Sequence, residues 1–578
     1  MYVVAIPNRG SRPAILLRES YREANKVRNR TLANLSDWPP ERIAALRTVL
    51  KGGTAGAARL EEAFEIVSSR PHGHVAAVVG TLRRLGLERL LSRQRSRAGA
   101  LCAAMIAARV LEPRSKLATA RGLGPETSES TLGEVLGVAA ASEDDLYRAM
   151  DWALGQQERV EAALARRHVA EGELVLYDVS STYFEGRKCP LARLGHSRDG
   201  KRDKLQIVFG LLTTAAGCPL AVEVFEGNVG DPNALTAQVT KLKKRFGLQR
   251  LVLVGDRGMI TAARIREDLA GIEGLDWITA LRAPAIQRLV QSGSLQLSLF
   301  DQTDLAEITD PDYPGERLIV CRNPLLAQER RRKRQELLEA TERTLQEILV
   351  ATRRARQPLR GKDRIALRVG KALGRYKVGK HFKIEIAEHR LQFCRDAEGI
   401  AREAALDGFY VIRTSVPATR LGAPEAVRSY KQLSAVERAF RSFKSVDLKV
   451  RPIHHRKADR VRAHLWLCLL AYYVEWHMRR ALAPMLFDDE DKAAGEALRA
   501  SVVAPAQRSP RAQQKARTKR TAEGAPVHSF QTLLRHLATL TNNRVQPKAA
   551  GATPFAMLAS PGAEQDRAFK LLQVSPRL

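Results

Sequence analysis

Hydrophobic and polar residues alternate in two separate parts of the chain, and both parts predict β-structure. Near the N-terminus, the apolar runs YVVAIP and AILLRESYRE flank the polar segment NRGSRP. This pattern predicts a β-hairpin with Gly10 and Pro13 as turn residues. From about residue 169, ELVLYDVSSTYF alternates in the same way, and KLQIVFGLLTTAAGCPLAVEVFEG predicts two further strands joined by the turn AAGCP.

Helical spacing dominates the region between these two parts. Apolar residues recur at every third or fourth position in TLRRLGLERLLSR and ALCAAMIAARVL, which predicts a mostly helical region over residues 53–168. Ser142 precedes the acidic first turn of EDDLYRAMDWAL and is therefore a good N-cap. Later in the chain, LWLCLLAYYV is continuously apolar but too short to span a bilayer, so it predicts a buried helix and no membrane partner.

Residues 169–281 predict the element order βββαβαβ. After the three strands, DPNALTAQVTKLKKRF predicts a helix capped at Asp231, with Pro232 at its first position. RLVLVGDRG predicts a short buried strand, TAARIREDLA a helix, and LDWITALR another strand. A hairpin meander followed by βα units gives a mixed α/β sheet with helices on its faces, which is the order of an RNase H-like core.

The pattern changes again after this core. Residues 282–407 begin a new region with the long charged helix QERRRKRQELLEATERTLQEILVATRRARQ, and they predict an α+β insertion domain. The strand GFYVIRTS then returns the chain to the core. The predicted domains are an N-terminal β-hairpin and basic segment (1–52), a mainly helical domain (53–168), a first core part (169–281), the insertion (282–407), a second core part (408–485), and a flexible basic linker with a helical tail (486–578).

Composition adds the expectation of a polyanionic partner. The chain has 578 residues with a formal net charge of +32, and its 44% apolar content supports folded cores rather than a disordered basic tail. Such a charge favours nucleic acid, because each neutralised phosphate releases a condensed counterion; a ribosomal or chromatin-type protein would have the same property. The six cysteines are scattered without a CxxC motif, so neither a zinc site nor a disulfide framework is indicated.

Three distant acidic residues are candidates for one metal site. Asp178 lies within the first strand of the predicted core, Asp256 follows the fourth strand, and Glu437 lies in the basic amphipathic segment YKQLSAVERAFRSFK. In an RNase H-like fold the first acid lies midway along the first strand and the second just after the fourth. Three carboxylates can bind two hard divalent cations, which clamp the attacking and leaving oxygens of a phosphodiester.

The segment around Glu437 has its own regular spacing. Tyr430, Glu437 and Lys444 are seven residues apart, so in one continuous α-helix they lie on the same face with about 20° of drift per step. Arg441 lies one turn beyond Glu437 on that face. The alternative is an ordinary surface helix with i,i+4 pairing between Glu and Arg side chains.

These motifs together resemble the DDE transposases of the IS-four superfamily. Tyr430, Glu437 and Lys444 match the signature Y-x2-R-x3-E-x6-K, although Leu433 stands at the Arg position, where Arg441 or Arg438 could substitute. The resemblance extends over roughly residues 170–480 and includes GHSRDGKRDKLQIVFGLL, EVFEGNVGD, GDRGM and RAFRSFKSVDLKVRPIHH.

The resemblance implies a transposase that cleaves the terminal inverted repeats of its insertion sequence and joins the 3′-OH ends to target DNA. It implies two Mg²⁺ ions, for which Mn²⁺ can substitute, held by Asp178, Asp256 and Glu437. Double-stranded DNA is the expected partner, together with a second copy of the chain in a paired-end complex and a cytoplasmic, nucleoid-associated location in a bacterium. Residues 53–168 are expected to bind the DNA ends. The expected DNA-binding residues are Tyr430, Lys444, Arg441, Arg438 and Arg451.

Other classes of nucleic-acid enzyme fit less well. A tyrosine recombinase needs a nucleophilic tyrosine downstream of its HxxR motif, but no tyrosine follows Tyr473. Gly370-Lys371 is followed by Ala372 rather than Ser or Thr, so this segment is not a phosphate-binding P-loop. A host RNase H-fold nuclease without strand transfer and a catalytically inactive DNA-binding derivative remain the open alternatives.

Overall fold

The computed structural model describes residues 1–23, 26–51, 63–170, 172–201, 203–230, 250–451, 453–548 and 552–578. They form two units, one of Met1–His72 with Thr539–Pro561 and one of Gly73–Ala538 with Gly562–Leu578. The helix predicted to begin at Asp231 lies outside the described residues. None of the helices described is both long and apolar enough to cross a membrane.

The strands and helices are numbered in chain order. The strands are β1 (Tyr2–Asn8), β2 (Ser11–Glu23), β3 (Lys26–Asn34), β4 (Phe64–Pro71), β5 (Leu174–Tyr183), β6 (Gln206–Thr214), β7 (Pro219–Glu226), β8 (Leu251–Val254), β9 (Leu275–Ala280), β10 (Leu305–Ile308), β11 (Arg317–Arg322), β12 (Phe382–Ala387), β13 (Arg390–Arg395), β14 (Phe409–Thr414), β15 (Thr541–Pro547) and β16 (Phe555–Leu558). The helices are α1 (Pro40–Leu50), α2 (Gly73–Arg84), α3 (Leu87–Leu91), α4 (Arg97–Leu111), α5 (Lys116–Leu123), α6 (Leu132–Val135), α7 (Glu143–Leu154), α8 (Gln157–His168), α9 (Ala262–Arg264), α10 (Ala283–Gln291), α11 (Pro324–Thr352), α12 (Lys362–Tyr376), α13 (Ala397–Ala404), α14 (Ala423–Lys431), α15 (Leu433–Arg441), α16 (Ala458–Leu482), α17 (Lys492–Ala497), α18 (Pro510–Thr518), α19 (Phe530–Ala538) and α20 (Ala563–Leu572).

The first unit contains two antiparallel three-stranded sheets, ordered β1-β2-β3 and β16-β15-β4. The predicted N-terminal hairpin is confirmed as β1 and β2, with Gly10 in its turn at a φ of +86°. Pro13 instead lies inside β2. The basic segment that follows forms β3, a strand exposed along its whole length, which explains why it shows no alternating pattern.

The second unit begins with helices packed around α16. Ser142 caps α7 as predicted, in a capping box with Asp145. The predicted buried helix is confirmed as α16, which is buried along most of its length and packs against α2, α4, α7 and β7. Not all of residues 53–168 is helical, because β4 occupies Phe64–Pro71.

The central sheet of this unit has eight strands in the order β10-β11-β14-β9-β8-β5-β6-β7. β5, β8 and β9 run parallel to one another, whereas the remaining neighbours are antiparallel. The segment β7-β6-β5-β8-β9 is a three-strand meander joined to two parallel strands, which confirms the expected RNase H-like mixed sheet.

The chain after β9 contributes to two structures. β10 and β11 extend the central sheet through β14. The helices α11 and α12 and the hairpin β12–β13 share a separate hydrophobic cluster, which includes Leu338, Leu345 and Ile348 on one apolar stripe of the long charged helix. The charged helix is therefore confirmed, and its apolar stripe faces neighbouring elements of its own cluster.

The region predicted as a flexible basic linker contains regular structure. It includes α17 and α18, and Ser509 caps α18 while bonding to Asp489. Lys515 is buried and donates to the carbonyl oxygens of Ala483 and Asp488, at 2.8 and 2.9 Å. Charged side chains here satisfy buried backbone groups, a use that composition does not reveal.

Candidate active site

Asp178 and Asp256 lie at equivalent positions on neighbouring parallel strands. Leu176 of β5 pairs directly with Val254 of β8, and each aspartate stands two residues beyond its member of this pair. Neighbouring strands are about 4.8 Å apart, so the register brings the two carboxylates to the same edge of the sheet. Asp178 is half-buried and Asp256 is exposed.

Tyr430, in α14, reaches the same place. Its hydroxyl faces the carboxylate of Asp256. Burial raises the pKa of Tyr430, and the negative charges of Asp256 and Asp178 raise it further, whereas Arg257 acts in the opposite direction. Tyr430 is therefore neutral and can act as a hydrogen-bond donor beside Asp178 and Asp256.

Glu437 lies on α15, which packs across β5 and β6. Val436, Ala439 and Phe440 form the buried face of this helix, and the ring of Phe440 lies 5.5 Å from that of Phe209 in β6. Glu437 itself is exposed. The helix thus lies over the strand that carries Asp178, with Glu437 on its exposed side.

The helical segment that carries the signature residues is interrupted at two points. α14 ends at Lys431, α15 begins at Leu433, and a π-helical turn over Ser442–Val446 follows. The expectation of one continuous helix with three residues on one face is therefore wrong. The wider π turn places Lys444 in the interior rather than beside Glu437 on the outer face.

A buried network holds this π turn. The hydroxyl of Ser442 contacts Asp447 at 2.9 Å and Glu475 of α16 at 3.2 Å. Arg479 pairs with both carboxylates, at 3.0 Å from Asp447 and 2.6 Å from Glu475. Burial raises the pKa of Glu475 to about 8. The π turn is consequently anchored to the central helix of the unit.

Lys444 and Arg451 share one carboxylate. Lys444 Nζ lies 3.3 Å from Asp199, and Arg451 lies 2.6 Å from the other oxygen of the same side chain. The Lys444 side chain is only 10% exposed. Arg438 and Arg441 are exposed on α15 and are the basic side chains of this segment that face solvent.

Two glycines of the motif segments allow the backbone to pack closely beside β6. A Cβ atom on Gly195 would lie 1.9 Å from the carbonyl oxygen of Gly227, and one on Gly227 would lie 1.9 Å from that of Gln206. The Gly227 N–H donates to Leu191 at 2.9 Å. These glycines hold the loop that carries Asp199, a role that the sequence analysis missed.

The donor set suits hard cations. Asp178, Asp256 and Glu437 offer only oxygen ligands, which Mg²⁺ and Mn²⁺ prefer. Among the described residues, the group whose ligand atoms all lie within 4.8 Å of one another is instead His168, Cys218 and His477.

Comparisons with known proteins identify the family of the chain. The family described as "Transposase DDE domain" matches residues 176–474, and "IS1634 family transposase, N-terminal domain" matches residues 4–63. No curated protein matches the chain significantly. Among solved structures, a piggyBac transposase synaptic complex with hairpin DNA is similar at 9% identity and a TM-score of 0.34, over 81% of this chain and 76% of that chain, which is too low to bear on function. The family match covers more than half of the sequence, and the chain therefore belongs to the DDE transposases of bacterial insertion sequences, in the IS4-like group that includes IS1634.

Proposed function

We propose that this transposase cleaves DNA at the terminal inverted repeats of its own element and joins the freed 3′-OH ends to target DNA. The observation that carries the proposal is the equivalent placement of Asp178 and Asp256 on paired parallel strands, with the hydroxyl of Tyr430 facing Asp256. Carboxylates brought together at a sheet edge next to a basic helix suit phosphodiester chemistry.

Asp178, Asp256 and Glu437 are the proposed metal ligands. DDE transposase domains are metal-dependent, and oxygen-only ligands favour two Mg²⁺ ions, with Mn²⁺ as a substitute. Bound metal would activate the attacking hydroxyl and stabilise the leaving oxygen. The protein's own part is to fix the carboxylates: β5 and β8 set two of them, and the packing of α15 on β5 and β6 sets the third.

Arg438 and Arg441 are the proposed phosphate contacts beside the acids. Both are exposed on the helix that carries Glu437. Lys444 and Arg451 are engaged with Asp199, so we assign them to supporting this helix from the interior. Tyr430 is likewise engaged with Asp256 and is proposed to position that carboxylate. The assignment of end binding to residues 53–168 stays a prediction.

A homodimer that holds both ends is the proposed active form, because one such site would serve each transposon end. Cleavage should then rise more than linearly with protein concentration. This dependence is measurable with the same substrate that tests the chemistry.

The test is an assay of end cleavage and joining. The purified full chain is incubated with Mg²⁺ and with DNA from the flanks of its own gene, beside Asp178→Ala, Asp256→Ala and Glu437→Ala. Each variant should lose cleavage and keep DNA binding, since binding depends mainly on phosphate contacts elsewhere. Glu425→Ala is the matched control, because Glu425 forms an exposed pair with Arg428 in the neighbouring helix.

The outcomes separate the alternatives. Nicked ends with strand-transfer products support the proposal. Cleavage without joining, under conditions where paired ends assemble, would identify a nuclease, and binding without cleavage would identify an inactive derivative. Cleavage retained by any one of the three variants would remove that residue from the site.

A further inference from the structure

A cluster of nitrogen and sulfur ligands lies away from the three acids. His168 is the last residue of α8, Cys218 immediately precedes β7, and His477 lies on α16. One ligand atom from each residue lies within 4.8 Å of the others. The three are separated by 50 and 259 positions in the sequence, so no local motif announces the cluster.

We propose that His168, Cys218 and His477 bind one Zn²⁺ ion, with a fourth position left to water. Two imidazoles and a thiolate are borderline-to-soft ligands, which suit Zn²⁺ and do not suit Mg²⁺. Tetrahedral zinc with bonds of about 2.0–2.3 Å needs ligand atoms about 3.3–3.6 Å apart. Zinc binding would therefore draw the three ligand atoms, now within 4.8 Å of one another, closer together.

An unpaired nitrogen in the cluster supports the binding of an ion there. The Nε2 atom of His477 is buried and has no hydrogen-bond partner within the described part of the chain. Buried polar atoms are normally paired, so a ligand at this position would satisfy His477. His168 Nε2 lies 2.8 Å from the hydroxyl of Tyr473, a contact that fixes the orientation of its ring.

Both imidazoles are in the neutral form that binds a metal ion. Burial lowers the pKa of His477 to about 4 and also lowers the pKa of His168, so both rings are neutral near neutral pH. Burial raises the pKa of the Cys218 thiol, so metal binding there must release a proton. Arg84, Arg167 and Arg480 face the cluster and oppose a cation, and the thiolate formed on binding offsets one of their charges.

The site would hold three elements together near the proposed active site. Gly217, next to Cys218, adopts a φ of +86°, and a Cβ atom there would lie 3.1 Å from the Cβ of Ala435. Ala435 is two residues before Glu437 on α15. Zinc at Cys218 would therefore clamp the turn on which this helix rests, which gives the site a structural role.

Cobalt substitution tests the proposal without relying on transposition. The full chain is freed of metal with a chelator, saturated with Mg²⁺ to occupy carboxylate sites, and titrated with Co²⁺. We expect one ion per chain with a thiolate-to-cobalt charge-transfer band, and displacement of that ion by Zn²⁺. Zn²⁺ should also raise the thermal midpoint of the metal-free chain, because a ligand that binds the folded state stabilises it.

The variants identify the ligands. Cys218→Ala should lose the band and the thermal shift, whereas Cys321→Ala, which removes another buried cysteine, should keep both. Asp178→Ala should also keep both, since it alters only the proposed Mg²⁺ site. If Cys218→Ala fails to fold, His477→Gln retains the thiol and should weaken Co²⁺ binding by about tenfold or more. Absence of the band in the unaltered chain, or its persistence in Cys218→Ala, would overturn the proposal.

Discussion

The hydroxyl of Tyr430 faces the carboxylate of Asp256, where α14 approaches the end of β8. Burial and the two nearby aspartates raise the pKa of Tyr430, so the hydroxyl keeps its proton and remains a donor. The hydroxyl is thus placed to donate a hydrogen bond to Asp256. The tyrosine acts through the aspartate and is a positioning residue.

Tyr430→Phe should therefore raise the Mg²⁺ concentration needed for cleavage more than it lowers the affinity for DNA. A hydrogen bond to a charged group contributes about 1.5–3 kcal/mol, so loss of this donor should lower the cleavage rate by about tenfold to a hundredfold. The Mg²⁺ concentration for half-maximal cleavage should rise, whereas the affinity for end DNA should not change. Tyr376→Phe, in α12, is the control and should match the unaltered chain. An unchanged Mg²⁺ dependence in Tyr430→Phe would show that the contact does not order Asp256.

The two exposed arginines of α15 should differ from Lys444 in their salt dependence. Arg438→Ala and Arg441→Ala should each reduce the slope of log affinity against log salt concentration by about one unit, because each loses one phosphate contact. Lys444→Met should leave that slope nearly unchanged and lower the thermal midpoint, because Asp199 would keep only Arg451 as a partner. A slope that falls in Lys444→Met and stays constant in both arginine variants would reverse the assignment.

The positions of Asp178 and Asp256 could be anticipated from sequence because they depend on local pattern. Each acid interrupts or follows an apolar strand-like run, and the order of strands determines which of them are neighbours. Glu437 could be assigned to a helix for the same reason, since its segment is strongly amphipathic. The breaks in that helix could not be anticipated, because the π turn depends on Ser442 meeting Glu475 of a distant helix.

Other features escaped prediction because they depend on contacts between distant residues. The pairing of β11 with β14 extends the central sheet into the region expected to be a separate insertion. The contact between His168, Cys218 and His477 likewise has no local spacing signal. The absence of a CxxC motif argues against a zinc site formed by neighbouring residues. It does not exclude a site whose ligands come from α8, the residue before β7, and α16.

Gly227→Ala should destabilise the protein severely. The added Cβ would lie 1.9 Å from a backbone carbonyl oxygen, which cannot move aside as a side chain can. We expect a loss of about 3 kcal/mol or more, since overpacking alone costs about 1–3 kcal/mol. Gly370→Ala is the control: its Cβ would meet nothing within 4 Å, and alanine favours a helix by up to about 1 kcal/mol. Thermal midpoints of the two variants should move in opposite directions, and equal midpoints would contradict the close approach.

Burial of Lys116 lowers the stability of the fold by an amount that depends on pH. It is 7% exposed, and no described acidic residue pairs with it. Burial lowers its pKa to about 7, and Arg109 lowers it further, whereas Cys468 and Cys102 act in the opposite direction. Two histidines lie nearby, His455 half-buried and His464 buried, and desolvation lowers the pKa of both.

The sign of the effect follows from the protons bound in each state. Between pH 7 and about 10.4 the unfolded chain keeps the Lys116 proton that the folded chain has released. Folding stability therefore rises with pH across this window and is lowest below it, where the charged ammonium is buried. Lys116→Met should raise the thermal midpoint at about pH 6, and its advantage should shrink towards about pH 9. Lys371 is exposed, so Lys371→Met is the control and should leave the thermal midpoint unchanged at both pH values. If Lys116→Met raised the thermal midpoint equally at both pH values, the buried ammonium would not be the cause.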